Sequence, residues 1–234
     1  MLTAGSVSAA SVSFSPSLDT TIYSESANSN AQGPLFAGRV NTGSVRRAMV
    51  AFDIMGSGIP AGSVINSVSL TFTQITAGAS STAGTFELRP LLKTWGEGTS
   101  SGSGQGAPAT SGDATWNQNI YSSSAWTNPG GDFGATSAST TFGLSPGSIT
   151  FASSTGLVRD VQGWLDTPGT NFGWLLKAAN DGIVSAHQLG SGESALSARP
   201  NITINFTAVP EPGLSSLLAL LCGGMARRRR SLNL

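Results

Sequence analysis

In several runs between Ser11 and Thr207 apolar side chains recur at every second position, and this spacing constrains the fold more than any other feature of the chain. Ala48, Val50 and Phe52 alternate with Arg47, Met49 and Ala51, and Val68, Leu70 and Phe72 with Ser69, Thr71 and Thr73. Phe86 and Leu88 alternate with Glu87 and Arg89, and Ile202, Ile204 and Phe206 with Thr203, Asn205 and Thr207. A period of two sends one row of side chains into a core and the other into water, as in a half-buried antiparallel strand. Turn signals separate these runs: Pro60-Ala61-Gly62, Asn128-Pro129-Gly130-Gly131 and Ser145-Pro146-Gly147. The expectation is an all-β fold, an antiparallel β-sandwich of jelly-roll-like type over residues 11–208. One segment changes period. Leu157, Val161, Trp164 and Leu165 share a helical face while Arg159, Asp160, Gln162 and Asp166 fall elsewhere, which predicts a short helix across one end or edge of the sandwich. Strand character returns at Phe172, Trp174 and Leu176, which are expected to face one way.

Charge and cysteine content narrow the function. Only 10% of residues are charged and the formal net charge is zero, so no basic tract exists for nucleic acid and no acidic tract for a polycation. The hydrophobic fraction of 39% supports a core, and 30 glycines with abundant Ser and Thr place much of the remainder in turns and loops. Cys222 is the only cysteine, so no disulfide closes within the chain and no thiolate metal site forms.

The C-terminus has a different character. Val209-Pro210-Glu211-Pro212-Gly213 precedes the apolar run Leu214 to Ala226 and the cluster Arg227, Arg228, Arg229 and Arg230. As a helix the run would reach about 20 Å, a marginal span of a hydrocarbon core of roughly 30 Å. The arginines would hold its end at the cytoplasmic face, leaving the body on the other side. In this order the three parts resemble a PEP-CTERM sorting signal, residues 209–234. The resemblance implies export, transient anchoring in the cytoplasmic membrane, and cleavage near Pro210-Glu211-Pro212 by an exosortase-type protease, which delivers the body to the surface or extracellular matrix. Residues 1–10 carry only the small residues of a secretory leader and read as the remnant of a signal peptide cut near Ala9 or Ala10.

A second resemblance spans roughly Val12 to Thr207. Arg46 to Asp53, Ile59 to Leu70, Trp95-Gly96-Glu97-Gly98, Thr115-Trp116, Val161-Gln162-Gly163-Trp164-Leu165, Gly173-Trp174-Leu175-Leu176 and Arg199-Pro200-Asn201-Ile202-Thr203-Ile204 follow in the order of the DNRLRE-type extracellular domain, which is related to carbohydrate-binding modules. It implies a β-sandwich that binds polysaccharide or serves as a structural module, without catalysis of its own. The naming hexapeptide is absent and Val184 to Ser197 departs from the pattern.

For chemistry, the acids Asp53, Glu97, Asp113, Asp132, Asp160, Asp166, Asp181 and Glu193 show no spacing that forces the facing pair a glycosidase needs. His187 is the only histidine and no serine sits in a nucleophile elbow, so His187 reads as an ordinary surface or strand residue. Trp164 and Trp174 are expected in the core, and Trp95 and Trp116 in structural roles. Trp126 and Tyr121, in the long Gly- and Ser-rich stretch 96–143, are the candidate platform for stacking a sugar ring. Asp113 and Asp132, with Asn117 and Asn128, are candidate oxygen donors for Ca²⁺, though no EF-hand spacing exists. The expected function is a non-catalytic surface or matrix component that binds polysaccharide or acts structurally. The rival is a polysaccharide hydrolase or lyase, which would need clustered acids or a His187 constellation at one concave face.

Overall fold

The computed structural model describes residues 8–209. In chain order its strands are β1 (Ser8–Phe14), β2 (Leu18–Tyr23), β3 (Asn28–Ser29), β4 (Leu35–Arg39), β5 (Val45–Ala51), β6 (Val64–Ala77), β7 (Gly84–Pro90), β8 (Ala107–Pro108), β9 (Gln118–Ile120), β10 (Ser124–Ala125), β11 (Ala138–Phe142), β12 (Gly147–Phe151), β13 (Trp174–Ala178), β14 (His187–Leu189) and β15 (Asn201–Ala208). The single α-helix among the described residues is α1 (Thr155–Asp166). The chain is therefore mostly antiparallel β-sheet with one helix, as the alternation predicts.

Two layers form. One runs β1-β15-β6-β14-β4, with β12 on the other edge of β6; the second runs β2-β5-β13-β7-β11. Strand β4 belongs to both, because Leu35 to Ala37 pair with β14 whereas Gly38 and Arg39 pair with β5. Gly38 makes this corner at φ +99°, and a Cβ there would lie 2.1 Å from the Ser185 carbonyl oxygen. Only glycine fits such a bend. Val68, Leu70, Phe72, Ile202 and Ile204 from the first layer meet Val50, Phe86, Leu88, Trp174 and Leu176 from the second in one continuous core. Their partners in the first layer, Ser69, Thr71, Thr73, Thr203, Asn205 and Thr207, stay at least partly open to solvent, as the period requires.

Helix α1 closes one end of this core with Leu157, Val161, Trp164 and Leu165, and the Trp164 and Trp174 rings lie 4.4 Å apart. Ser154 caps its first turn by accepting from the Leu157 N–H at 3.1 Å. Gln162 ties the helix to β6, accepting from Ile65 N at 2.9 Å and donating to Ser63 O at 3.1 Å.

Three expectations need correction. The row Arg47, Met49 and Ala51, expected in water, is buried at 9%, 0% and 7% exposure. The reason is the long segment 91–137, which lies over the outer face of the second layer. It builds a second cluster there from Ile22, Met49, Leu91, Trp95, Trp126 and Leu175. Phe172 packs against this second cluster instead of facing the same way as Trp174 and Leu176. Asp160, expected on the polar side of α1, is buried and accepts hydrogen bonds from Trp174 Nε1 at 2.9 Å and from Ser137 Oγ.

Strand β1 begins at Ser8, so Ser8, Ala9 and Ala10 of the segment read as a leader remnant stand opposite Ala208, Thr207 and Phe206 of β15. Of the sorting signal only Val209 is described, 53% exposed just past β15. Pro210, Glu211, Pro212, the apolar run 214–226 and Arg227 to Arg230 lie outside the described residues. Among the described residues no helix is long and apolar enough to cross a membrane.

Candidate functional site

The segment over the second layer carries most of the residues singled out from sequence, and it uses them internally. Trp126 follows β10 and turns inward to 5% exposure, its indole N–H donating to Thr115 O at 2.9 Å. Tyr121 sits in the turn between β9 and β10, half-buried, its backbone N–H bonded to Asp113 O at 2.7 Å. Trp126 is thus inside the loop's core, whereas Tyr121 stays partly open to solvent. Trp95 is buried with its N–H on Phe172 O at 2.8 Å, and the Trp116 ring is covered by the Arg47 guanidinium at 4.6 Å.

The expected calcium donors are likewise engaged by their own loops. Asp113 is fully buried. Its Oδ1 accepts from Thr99 N at 2.9 Å and Ser100 N at 3.2 Å, and its Oδ2 from Thr110 N at 2.6 Å. Asp132 accepts from Thr127 N at 2.8 Å and Asn128 N at 2.9 Å. Slight burial raises its carboxyl, but these donated bonds outweigh that and hold it below the ordinary carboxylate range. Asn128 donates its own amide to Asp132, and the Asn117 carbonyl accepts from Trp126 N. Asp113 and Asp132 therefore act as anchors of tight turns.

His187 lies in strand β14, the strand alternative of the sequence reading, buried at 1% exposure with edge contacts to Phe86 and Phe142. Its ring nitrogens face two backbone carbonyls, Ser185 O at 2.6 Å and Gly143 O at 3.0 Å. Among the described residues no serine hydroxyl or carboxylate is hydrogen-bonded to its ring, the contact a nucleophilic triad requires.

What folding does bring together is Asp19, Glu97 and Glu193, whose nearest carboxylate oxygens all lie within 4.8 Å of one another. Asp19 stands on β2 opposite Val50, on the face directed into the sandwich, and is 1% exposed. Its Oδ2 accepts from Gly192 N at 2.6 Å, while Oδ1 has no hydrogen-bond partner. Glu97 reaches Asp19 from the long segment, its Oε1 accepting from Asp19 N at 2.7 Å. The glycines on either side fix it: a Cβ at Gly98, where φ is +75°, would sit 1.7 Å from Asp113 Oδ1. Glu193 is exposed in the loop between β14 and β15.

Burial pushes the Asp19 carboxyl up to about 8, helped by the charges of Glu193 and Glu97 and opposed by the Gly192 N–H. Burial also raises Glu97, whose bond from Asp19 N works against that shift. No ion pair among the described residues includes any of the three acids. Three oxygen donors without histidine or cysteine are chemistry for a hard cation. The spacing reading named Glu97 and Glu193 but did not join them, and it overlooked Asp19. The available signal was an acid in the inward row Asp19, Thr21, Tyr23 of a strand. No family model matches the chain, and no curated protein sequence matches it.

Proposed function

We propose that this chain is an exported, non-catalytic structural or adhesive module of the cell surface or extracellular matrix, a jelly-roll-like sandwich sorted by its C-terminal signal. The observation that supports this reading best is how the long segment 91–137 is used. Trp95 and Trp126 are buried in its own core and Trp116 lies under Arg47, so these side chains brace the sheet beneath the segment. A weakly charged body with Ser, Thr and Asn on the outer rows of its first layer suits a hydrated matrix. Residues 209–234 supply the address: membrane retention through Leu214 to Ala226, and release or transfer by an exosortase-type protease near Pro210-Glu211-Pro212.

The rival reading, a polysaccharide hydrolase or lyase, draws on the convergence of Asp19, Glu97 and Glu193. Against it, a glycosidase sets its two carboxyls on either side of a bound sugar, about 5 Å or more apart. Asp19, 1% exposed, does not present its carboxyl to such a substrate.

Two measurements test the proposal. In a host with the sorting protease, replacing Pro210, Glu211 and Pro212 by alanine should leave the chain in the membrane fraction while the unaltered chain reaches the surface or medium. Identical distribution of the two would overturn the sorting reading. The full chain should show no retention on polysaccharide columns that depends on Tyr121 or Trp126. Retention abolished by Tyr121→Ala in a folded variant would make the protein a binding module instead.

A further inference from the structure

Asp19 presents a contradiction that the rest of the fold does not resolve. It is 1% exposed, yet its Oδ1 has no partner, and two further carboxylates converge on it with oxygens within 4.8 Å. A buried carboxyl is retained at tolerable cost only when it is paired, bound to a metal or kept protonated. Elsewhere the chain follows that rule. Asp113 has donors on both oxygens, and Asp160 has Trp174, Ser137 and Arg159. Arg46 and Arg47 are paired with Glu25 and Asp181. At Asp19 the neighbours Glu97 and Glu193 are of like charge, so without an ion the cluster holds a proton on Asp19, and a cation among the three would replace that proton and meet all three carboxylates.

We infer that Asp19, Glu97 and Glu193 form a binding site for one divalent cation of the calcium class, which fastens two long loops to the edge of the sandwich. This inference stands apart from the proposed sorting and display. The donor set decides the class of ion: three carboxylates with no nitrogen or sulfur favour calcium over zinc, and calcium fills its remaining positions with carbonyl oxygens and water.

The three donors arise from three distant parts of the chain and are positioned independently of any ion. Asp19 is held by the pairing of β2 with β5. Glu97 is set by the Gly96–Gly98 turn, whose backbone packs against Gly112 O and Asp113 Oδ1. Glu193 follows Gly192, whose N–H is bonded to Asp19, and sits within the Ser191–Ser194 turn, in which Ser191 N donates to Ser194 Oγ at 2.9 Å. Arg199 Nε holds the far side of that turn through Ser194 O at 2.8 Å. The backbone thus brings the acids together against their mutual repulsion. This is the preorganisation a cation site requires.

The test is calorimetric titration of the full chain, stripped with chelator, with CaCl₂, alongside thermal unfolding with and without the ion. One site with a Kd between about 10⁻⁴ and 10⁻³ M and a rise in Tm are expected, in the range of extracellular calcium modules. Glu193→Gln, at an exposed position, should fold normally and weaken binding at least tenfold. Asp19→Asn should abolish binding and remove the calcium-dependent rise in Tm. Asp132→Asn should bind as the unaltered chain does. The proposal is overturned if no heat appears at millimolar calcium, if Glu193→Gln binds unchanged, or if Asp132→Asn alone loses the ion.

Discussion

Burial holds the Asp19 carboxyl at about 8 against an ordinary 3.8, so in the cation-free protein the folded state keeps a proton that the unfolded chain releases. Its stabilising effect is complete at low pH and is lost as pH rises from about 4 through about 8, opposite in sign to a carboxylate held in an ion pair. The groups facing it are Glu97 and Glu193, whose charges help keep the proton on Asp19. Urea midpoints in chelator should therefore fall between about pH 5 and about pH 8, and Asp19→Asn should flatten that slope. An unchanged slope in the variant would place the titration elsewhere. Trp126 illustrates the same scale from the apolar side. A large aromatic in a Gly- and Ser-rich loop suits stacking or packing equally by composition, and the inward turn after β10 selects packing, with its N–H satisfied by Thr115 O.

At the scale of elements, the 91–137 segment depends on one acid and its glycines more than on strand pairing. Its own strands are two or three residues long, too short to hold it. Asp113 instead collects the N–H groups of Thr99, Ser100 and Thr110 and so folds the start of the segment back on itself. Gly98→Ala puts a methyl carbon 1.7 Å from Asp113 Oδ1 at a φ of +75°. It should destabilise the protein by more than about 1 kcal/mol, read as a lowered denaturation midpoint. Trypsin cleavage at Lys93 should become faster in the same variant. A neutral effect on both would show that the segment is held by its tryptophans alone.

For the whole molecule, the corner in β4 decides whether two sheets become one body. Gly38 lets one strand pair with β14 in the first layer and with β5 in the second. Gly38→Ala should therefore cost more than about 1 kcal/mol and lower Tm in a single cooperative transition, since both layers share the strand. Two separated transitions, or none shifted, would mean that the layers do not depend on this corner. The alternation, the turns and α1 were legible in the chain because each rests on local spacing, two residues for a strand and three to four for a helix. The reading of the tail as an address also rests on local features, its apolar length and terminal arginines, but all of it past Val209 lies outside the described residues. The second core over Met49 and Leu175, the inward turn of Trp126, the burial of Asp160 and His187, and the meeting of Asp19 with Glu97 and Glu193 could not be read that way. They join residues 78 or more positions from Asp19, or faces whose covering segment lies elsewhere in the chain. Spacing specifies which side of a strand is apolar; only the tertiary structure decides what covers the other side, and which charges are brought into contact by the covering.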